Sequence, residues 1–282
     1  MPTIARHGLL RIRSEVRRRP IGLFTAFTRF IGFTDFSDLR NVAEPRSLSI
    51  VRYENDPSPL PPGQRAIADF PRFGVVAFAK RPLRSMEIRL EISGSVGHPI
   101  TLRAAELATL PRTSVAADFH CAAGWSHRSV EWSGLRFRDV WDTFIAPHAQ
   151  LRIEHGLAVL RCQDRYRTAL PLADLLRPEV LVADQLNGQP LTVEHGAPIR
   201  LVAPAHYGYK SAKHLVGIEL RPDDQGYRPL LPRLLDHPRA RVALEERGQL
   251  LPGWLLRYLF RPLIRPLIRR MQRATEQQRT RP

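Results

Sequence analysis

Short runs in which apolar and polar residues alternate, punctuated by Pro and Gly instead of long helical stretches, constrain this fold most. Met86–Gly94 alternates as a strand ending at Gly94, and Ser114–Cys121, Leu157–Arg161, Val180–Leu186, Ile199–Ala203 and His214–Leu220 read the same way. Asn187-Gly188 is a hairpin-turn signal. Helical periodicity is confined to shorter pieces: 102–110 (LRAAELATL) ended by Pro111, Arg136–Phe144, and a turn at Leu172–Leu176 before Pro178. A further stripe at 21–34 sets Phe24, Phe27, Phe30 and Ile31 on one side. Without a βαβ rhythm a doubly wound parallel sheet is disfavoured, so the expected class is α+β with a mixed sheet. There is no internal repeat, and neither GxGxxG nor GxxxxGK[ST] occurs, so a Rossmann site or a P-loop has no support.

Residues 54–63 (ENDPSPLPPG) read as a surface connector because clustered Pro fixes φ and removes donors. The expected division is a basic N-terminal extension over 1–64, a domain over 65–225 and a basic Arg/Pro-rich extension over 226–282. Formal net charge is +16, yet residues 1–20 hold six Arg and one Glu, and residues 253–282 hold eight Arg and one Glu. The ends therefore carry +5 and +7, which leaves +4 for residues 21–252. A duplex-binding domain gathers its cations on a folded face, so specific nucleic-acid binding is not expected. The tails suit an anionic lipid surface or an acidic partner. In the C-terminal tail, Arg257, Arg261, Arg265 and Arg269 recur four apart among bulky apolar residues, while Pro262 and Pro266 argue against one continuous helix. That tail reads equally as a cover for the domain. No stretch approaches the roughly 20 apolar residues of a spanning helix, so an integral membrane protein is not expected. Arg29 cuts short the apolar run after Arg17-Arg18-Arg19, so a cytoplasmic location is expected ahead of twin-arginine export.

Two cysteines, Cys121 and Cys162, exclude a disulfide scaffold and a four-cysteine zinc site. Cys121 stands where a strand gives way to the turn Ala122-Ala123-Gly124, and three readings stay open. It is a small buried hydrophobe, a nucleophile, or a thiolate ligand to a soft, redox-active metal. Strand neighbours face opposite ways, which places His120 poorly for activating that sulfur. A single thiolate cannot hold an ion alone, so the metal reading needs ligands from a cofactor.

Around that cysteine, HCAAGWS at 120–126 followed by VEWSGLRFRDVW at 130–141 resembles a stretch of the sulfite-oxidase family of molybdopterin-dependent oxidoreductases. LNGQPLTVEHGAPIRLVAP at 186–204 and YGYKSAK at 207–213 resemble two later blocks of the same family, in the same order. The resemblance covers roughly 65–225 and implies the family's mixed-sheet molybdopterin-binding fold, of the compact single-domain bacterial type. It implies a molybdopterin cofactor with molybdenum ligated by Cys121, and oxygen-atom transfer to or from a small substrate such as sulfite or a sulfoxide. Arg200, Ser211, Ala212 and Lys213 would hold the cofactor, with His195 contacting the pterin and the 69–74 segment (Phe70, Pro71, Arg72) as a first cofactor loop. Two of the chain's three lysines, Lys210 and Lys213, fall in this one segment, against 40 Arg overall. Tyr227 matches an active-site tyrosine loosely, and Arg128, like Arg72, is a candidate for gathering an anionic substrate. A separate electron-transfer partner is implied. The rival expectation is a non-catalytic relative that keeps the fold but uses its basic ends to dock at membranes or partners.

Overall fold

The structure is a computed structural model that describes residues 59–81, 83–228 and 235–279. The 21–34 stripe and the first part of the Pro-rich connector lie outside the described residues. In chain order the strands are β1 (Arg65–Ala66), β2 (Arg89–Gly94), β3 (Ile100–Arg103), β4 (Arg112–His120), β5 (Trp125–Arg136) and β6 (Leu157–Cys162). They continue as β7 (Arg167–Pro171), β8 (Leu181–Leu186), β9 (Gln189–Pro190), β10 (Arg200–Val202) and β11 (Leu215–Arg221). One sheet runs β1-β5-β8-β10, with β4 also on β5 and β9 on β8; the second runs β3-β2-β11-β6-β7. β1 lies parallel to β5, and β11 parallel to β2, while the other pairs are antiparallel. The expected α+β class with mixed sheets is therefore the fold observed.

The first sheet is covered on both faces, which explains why Leu181, Val182 and Ala183 are all buried. Leu181 and Ala183 pack with Val130 and Trp132. Val182 faces the larger core shared by both sheets, with Leu90, Ile92, Leu160, Leu201 and Ile218. Burial on both faces also hid the longest strand. β5 has twelve residues and a register shift between Ser133 and Gly134, so its apolar positions do not alternate cleanly. At 102–110 the structure corrects the expected helix: Ile100–Arg103 is a strand paired with β2, and the helix is only Ala104–Leu107. Its amphipathic pattern survives because Leu102, Leu107 and Leu110 are all buried. Asn187 and Gly188, at φ 49° and 73°, form the two-residue turn between β8 and β9 that the dipeptide predicts.

The C-terminal residues fold back as a cover. Helix Gly253–Phe260 passes through a 3₁₀ turn at Arg261–Leu263 into helix Ile264–Arg279. The break falls at Pro262, whereas Pro266 sits in the first turn of the second helix, where its missing N–H has no intrahelical acceptor to lose. Leu256, Leu263, Leu267, Ile268, Met271 and Ala274 are buried on the inner side. Among the described residues no helix is long and apolar enough to cross a membrane.

At Gly134 a Cβ would stand 2.2 Å from the Val182 carbonyl oxygen, whereas at Gly188 it would meet nothing within 4 Å. Gly134→Ala is expected to cost about 1–3 kcal/mol or more, because backbone must move. Gly188→Ala should cost about 1 kcal/mol, from its left-handed φ alone. Urea denaturation separates the two, and equal losses would contradict the β5–β8 register.

Candidate active site

β4 ends at His120 and the chain turns through 121–124 into β5, so Cys121 leaves the sheet at its edge. The turn closes by Cys121 N–H donating to Trp125 O (2.8 Å) and Gly124 N–H to Cys121 O (2.9 Å). Ala123 N–H points at the Cys121 sulfur at 3.5 Å. A polar relay fixes the turn from behind. His120 Nδ1 lies 2.8 Å from Ser126 Oγ, Ser126 Oγ donates to Gln64 Oε1 (3.0 Å), and Gln64 Nε2 donates to Cys121 O (3.2 Å). With Ser126's proton spent on Gln64, His120 is the donor to Ser126, so its ring is committed away from the sulfur. Arg247 completes the clamp. Fully buried, it donates to Ala122 O and to Pro62 O (3.2 Å), and its guanidinium lies 5.1 Å from the Tyr207 ring centroid.

Cys121 is half-buried and packs on the cluster of Ile67, Ala123 and Trp125, on which Phe70, Phe73, Phe119, Phe260 and Ile264 also pack. Burial pushes its thiol up to about 12, partly offset by Ala123 N–H and the charges of Arg247 and Lys213. A thiol in this setting is neutral and unreactive unless a cation binds it, which disfavours the nucleophile reading. Cys121 in turn lies within electrostatic reach of Tyr207. The Tyr207 hydroxyl is buried, and burial raises its pKa to about 12, offset in part by Arg247 and Gln64.

Next to the aromatic cluster lies a concentration of buried cations. Gly196, at φ 110°, ends the 3₁₀ turn Val193–His195, and a Cβ there would press on Arg200 and Lys213 at 3.1 Å. Arg200, fully buried, spends its guanidinium on backbone carbonyls of His195 (2.8 Å), Ser211 (3.0 Å) and Leu201 (3.3 Å), and lies 4.7 Å from the Trp132 ring centroid. Burial brings Arg200 down to about 9. Lys213 Nζ donates to Glu194 O at 2.7 Å, and burial with Arg200 and Arg72 nearby holds it well below the usual lysine range. Arg72 is buried and donates to Thr275 Oγ1 (2.8 Å) of the last helix. His195 Nε2 reaches Phe70 O at 3.3 Å, and burial beside Lys213 lowers its pKa, so it stays neutral. Ser211 Oγ accepts Ala203 N–H at 3.1 Å, and Ala212 is buried behind it. Phe70 stacks on His127 at 5.2 Å and meets Phe119 at 4.9 Å, joining the cationic and sulfur-bearing sides, while Pro71 is partly buried between Phe70 and Arg72.

Of the residues singled out in the sequence, Phe70, Arg72, His195, Arg200, Ser211 and Lys213 gather around this one locus, and Lys213 acts on Cys121 itself. Arg128 is buried within electrostatic reach of His120. Tyr227 lies elsewhere: the charged groups acting on it are Asp236 and Arg167, whereas Tyr207 is the tyrosine within electrostatic reach of Cys121. The two lysines also part company. Lys210 is buried in an ion pair with Asp236 (3.0 Å) and bonds Ala169 O (2.9 Å), a structural role. Arg247, Gln64 and Tyr207 escaped the sequence reading. Only the fold reveals which of 40 arginines is buried beside the sulfur. A cavity of about 850 Å³ opens on the second sheet, lined by Arg81, Arg161, Cys162 and Arg167 among others, and Cys121 is not part of it.

Among the described residues no three His, Cys, Asp or Glu side chains gather to hold a metal, so a metal at Cys121 needs other ligands. The donor set fits a pterin phosphate: Arg72, Arg200 and Lys213 crowd together with Asp164 and Glu194 as the acids acting on Lys213, an excess of buried positive charge that an anion relieves.

A family model described as the oxidoreductase molybdopterin-binding domain matches residues 79–227. The uncharacterized oxidoreductase YuiH of Bacillus subtilis is 36% identical over 57% of this chain and 78% of its own length. The protein-methionine-sulfoxide reductase catalytic subunit MsrP of Xanthomonas campestris is 27% identical over 60% of this chain. The chain spans 59% of that relative. The sulfane dehydrogenase SoxCD of Paracoccus pantotrophus, a solved structure, is 23% identical over 49% of this chain and 39% of its own, with a TM-score of 0.42.

His214, buried and donating from Nδ1 to Ala197 O at 2.6 Å, provides a test of this charge. Burial, with Lys213, Arg72 and Arg200 adding repulsion, brings its imidazole down to about 4. The unfolded chain binds this proton as pH falls through about 6.5, but the folded chain does so only near 4. The stability His214 contributes is therefore complete above about 6.5 and is lost as pH falls toward 4. His214→Asn is expected to lose about 2–3 kcal/mol less than wild type between about pH 7 and about pH 4.5 in urea denaturation. Identical pH slopes would contradict the burial argument.

Proposed function

The chain belongs to the oxidoreductase molybdopterin-binding family, and on that footing we propose that it removes the oxygen atom of a sulfoxide, with Cys121 as the protein's ligand to molybdenum. It is an oxidoreductase whose cofactor is molybdopterin with molybdenum. The bound cofactor would supply a two-electron centre for oxygen-atom transfer. In the reductive direction a sulfoxide, two electrons and two protons give a sulfide and water.

The observation that carries the reading is that half-buried Cys121 packs on an aromatic cluster and lies within electrostatic reach of buried Arg247 and Lys213. Cys121 would be held for ligation by the Gln64 and Arg247 clamps on its turn, so that the sulfur needs little rearrangement on binding. Lys213 and Arg72 would supply positive charge to the cofactor phosphate, while Arg200 keeps the carbonyls of 195, 201 and 211 in place beneath it. Phe70 and neutral His195, their ring centroids 5.2 Å apart, offer aromatic faces for the pterin. Tyr207, its hydroxyl held protonated by burial within electrostatic reach of Cys121, would offer a hydrogen-bond donor there.

Two facts support reduction of a sulfoxide over oxidation of sulfite. MsrP is by name a reductase of methionine sulfoxide in proteins, although this chain covers only part of it. The Cys121 surroundings are also aromatic, and the buried cations within electrostatic reach, Arg247 and Lys213, already spend donors on Ala122 O, Pro62 O, Glu245 and Glu194 O. A neutral substrate suits that wall better than a multiply charged anion. Electrons would arrive from a separate partner, as the name "catalytic subunit" suggests for MsrP.

Protein from a host that makes the cofactor is expected to contain molybdenum and pterin, and to reduce methionine sulfoxide with a reduced viologen dye. Cys121→Ser should lower that rate by at least the roughly 100-fold that loss of an outer-shell partner reaches. An unchanged metal centre and rate in Cys121→Ser would refute the ligand assignment, and turnover of sulfite alone would refute the direction.

A further inference from the structure

Five large apolar side chains among the described residues are more than half exposed, and four of them fall in one 15-residue segment: Leu244, Leu250, Trp254 and Tyr258. Trp254 and Tyr258 are one turn apart on helix Gly253–Phe260, so they share its outer side. The opposite side is committed to the body: Leu256 is buried, and Phe260 packs in the cluster that contains Cys121. Beyond Tyr258 the exposed positions turn cationic, beginning with Arg261 and Arg265. Residues 253–279 hold seven Arg against the single Glu276.

We propose that this face, from Leu244 through Arg265, docks on an anionic lipid surface. Trp and Tyr are side chains with an apolar ring and a polar edge, which suits the headgroup boundary. The exposed Leu244 and Leu250 of the same segment add apolar surface, and the arginines meet the negative charge of the headgroups. Because the helix already spends its buried stripe on the domain, it cannot roll over to insert that stripe in lipid. The contact is therefore made by the folded protein as a rigid patch, shallow and reversible. It also sets the element that flanks Cys121 against the bilayer surface. A second copy of the chain, or an acidic protein, would compete for the same aromatic pair, so the charge and side-chain dependence of binding decides between them.

The chain carries its own reporter. Trp125, Trp132 and Trp141 are buried at 2%, 1% and 8% exposure, whereas Trp254 is 52% exposed, so a vesicle-induced change in emission belongs to Trp254. Full-length protein should co-sediment with equimolar phosphatidylglycerol/phosphatidylcholine vesicles, shift its emission to the blue, and ignore vesicles of phosphatidylcholine alone. The Trp254→Ser/Tyr258→Ser variant, whose thermal midpoint should match wild type because both side chains are exposed, should bind about tenfold more weakly or worse. Arg261→Gln/Arg265→Gln should weaken binding and reduce its salt dependence. Three outcomes would overturn the proposal: no binding to the anionic vesicles, equal binding by the Trp254/Tyr258 variant, or self-association abolished by that variant without any vesicle binding.

Discussion

Buried positive charge is the constraint on which the rest of this structure turns. Arg200 and Lys213 are held within reach of Arg72, and burial, with the like charges of Arg200 and Arg72 added, holds Lys213 well below the usual lysine range. A fold tolerates such an arrangement when backbone carbonyls absorb the donors and when an anion completes the site. Here the carbonyls are those of 194, 195, 201 and 211, presented by the 3₁₀ turn at Val193–His195, by β10 and by the loop before β11. Gly196 lets the two cations close over that turn, since a side chain there would collide with both.

The sulfur and the cations are brought together by the topology of the first sheet. β4 and β5 deliver Cys121 at their common end, β10 delivers Arg200, and Phe70 and Phe119 fill the space between. Segments outside the matched family region then lock the assembly. Gln64 precedes it, and Arg247 and Thr275 follow it, yet each bonds directly to the turn of Cys121 or to Arg72. The C-terminal cover is thus part of how the site is held, and its outer surface is what remains for a partner or a membrane.

Much of the second sheet was legible in the sequence, because β2, β6 and β11 alternate and end at recognisable turns. β5 was not, since a strand buried on both faces loses its period, and β3 was masked because Leu102 satisfies a helical stripe and a strand equally well. The site divides in the same way. Cys121, Arg200, Ser211 and Lys213 sit in contiguous motifs that resemble a known family, and the structure places them around one locus. Tyr207 lay inside a quoted motif but gave no sign of its buried hydroxyl. Arg247 reaches Ala122 across 125 positions of sequence, and no local pattern distinguishes it from other arginines. Conversely, the pairing of Lys210 with Lys213 in the sequence suggested a joint role that the burial of Lys210 against Asp236 dissolves.

The most direct test of the central claim is the pterin content of purified protein, read from the fluorescence of released cofactor, in wild type and in Lys213→Gln at matched thermal stability. If the crowded cations exist to hold the cofactor's phosphate, the variant should retain only a small fraction of the pterin, while Arg261→Gln on the outer surface retains all of it. Equal pterin occupancy in Lys213→Gln and wild type would contradict the account.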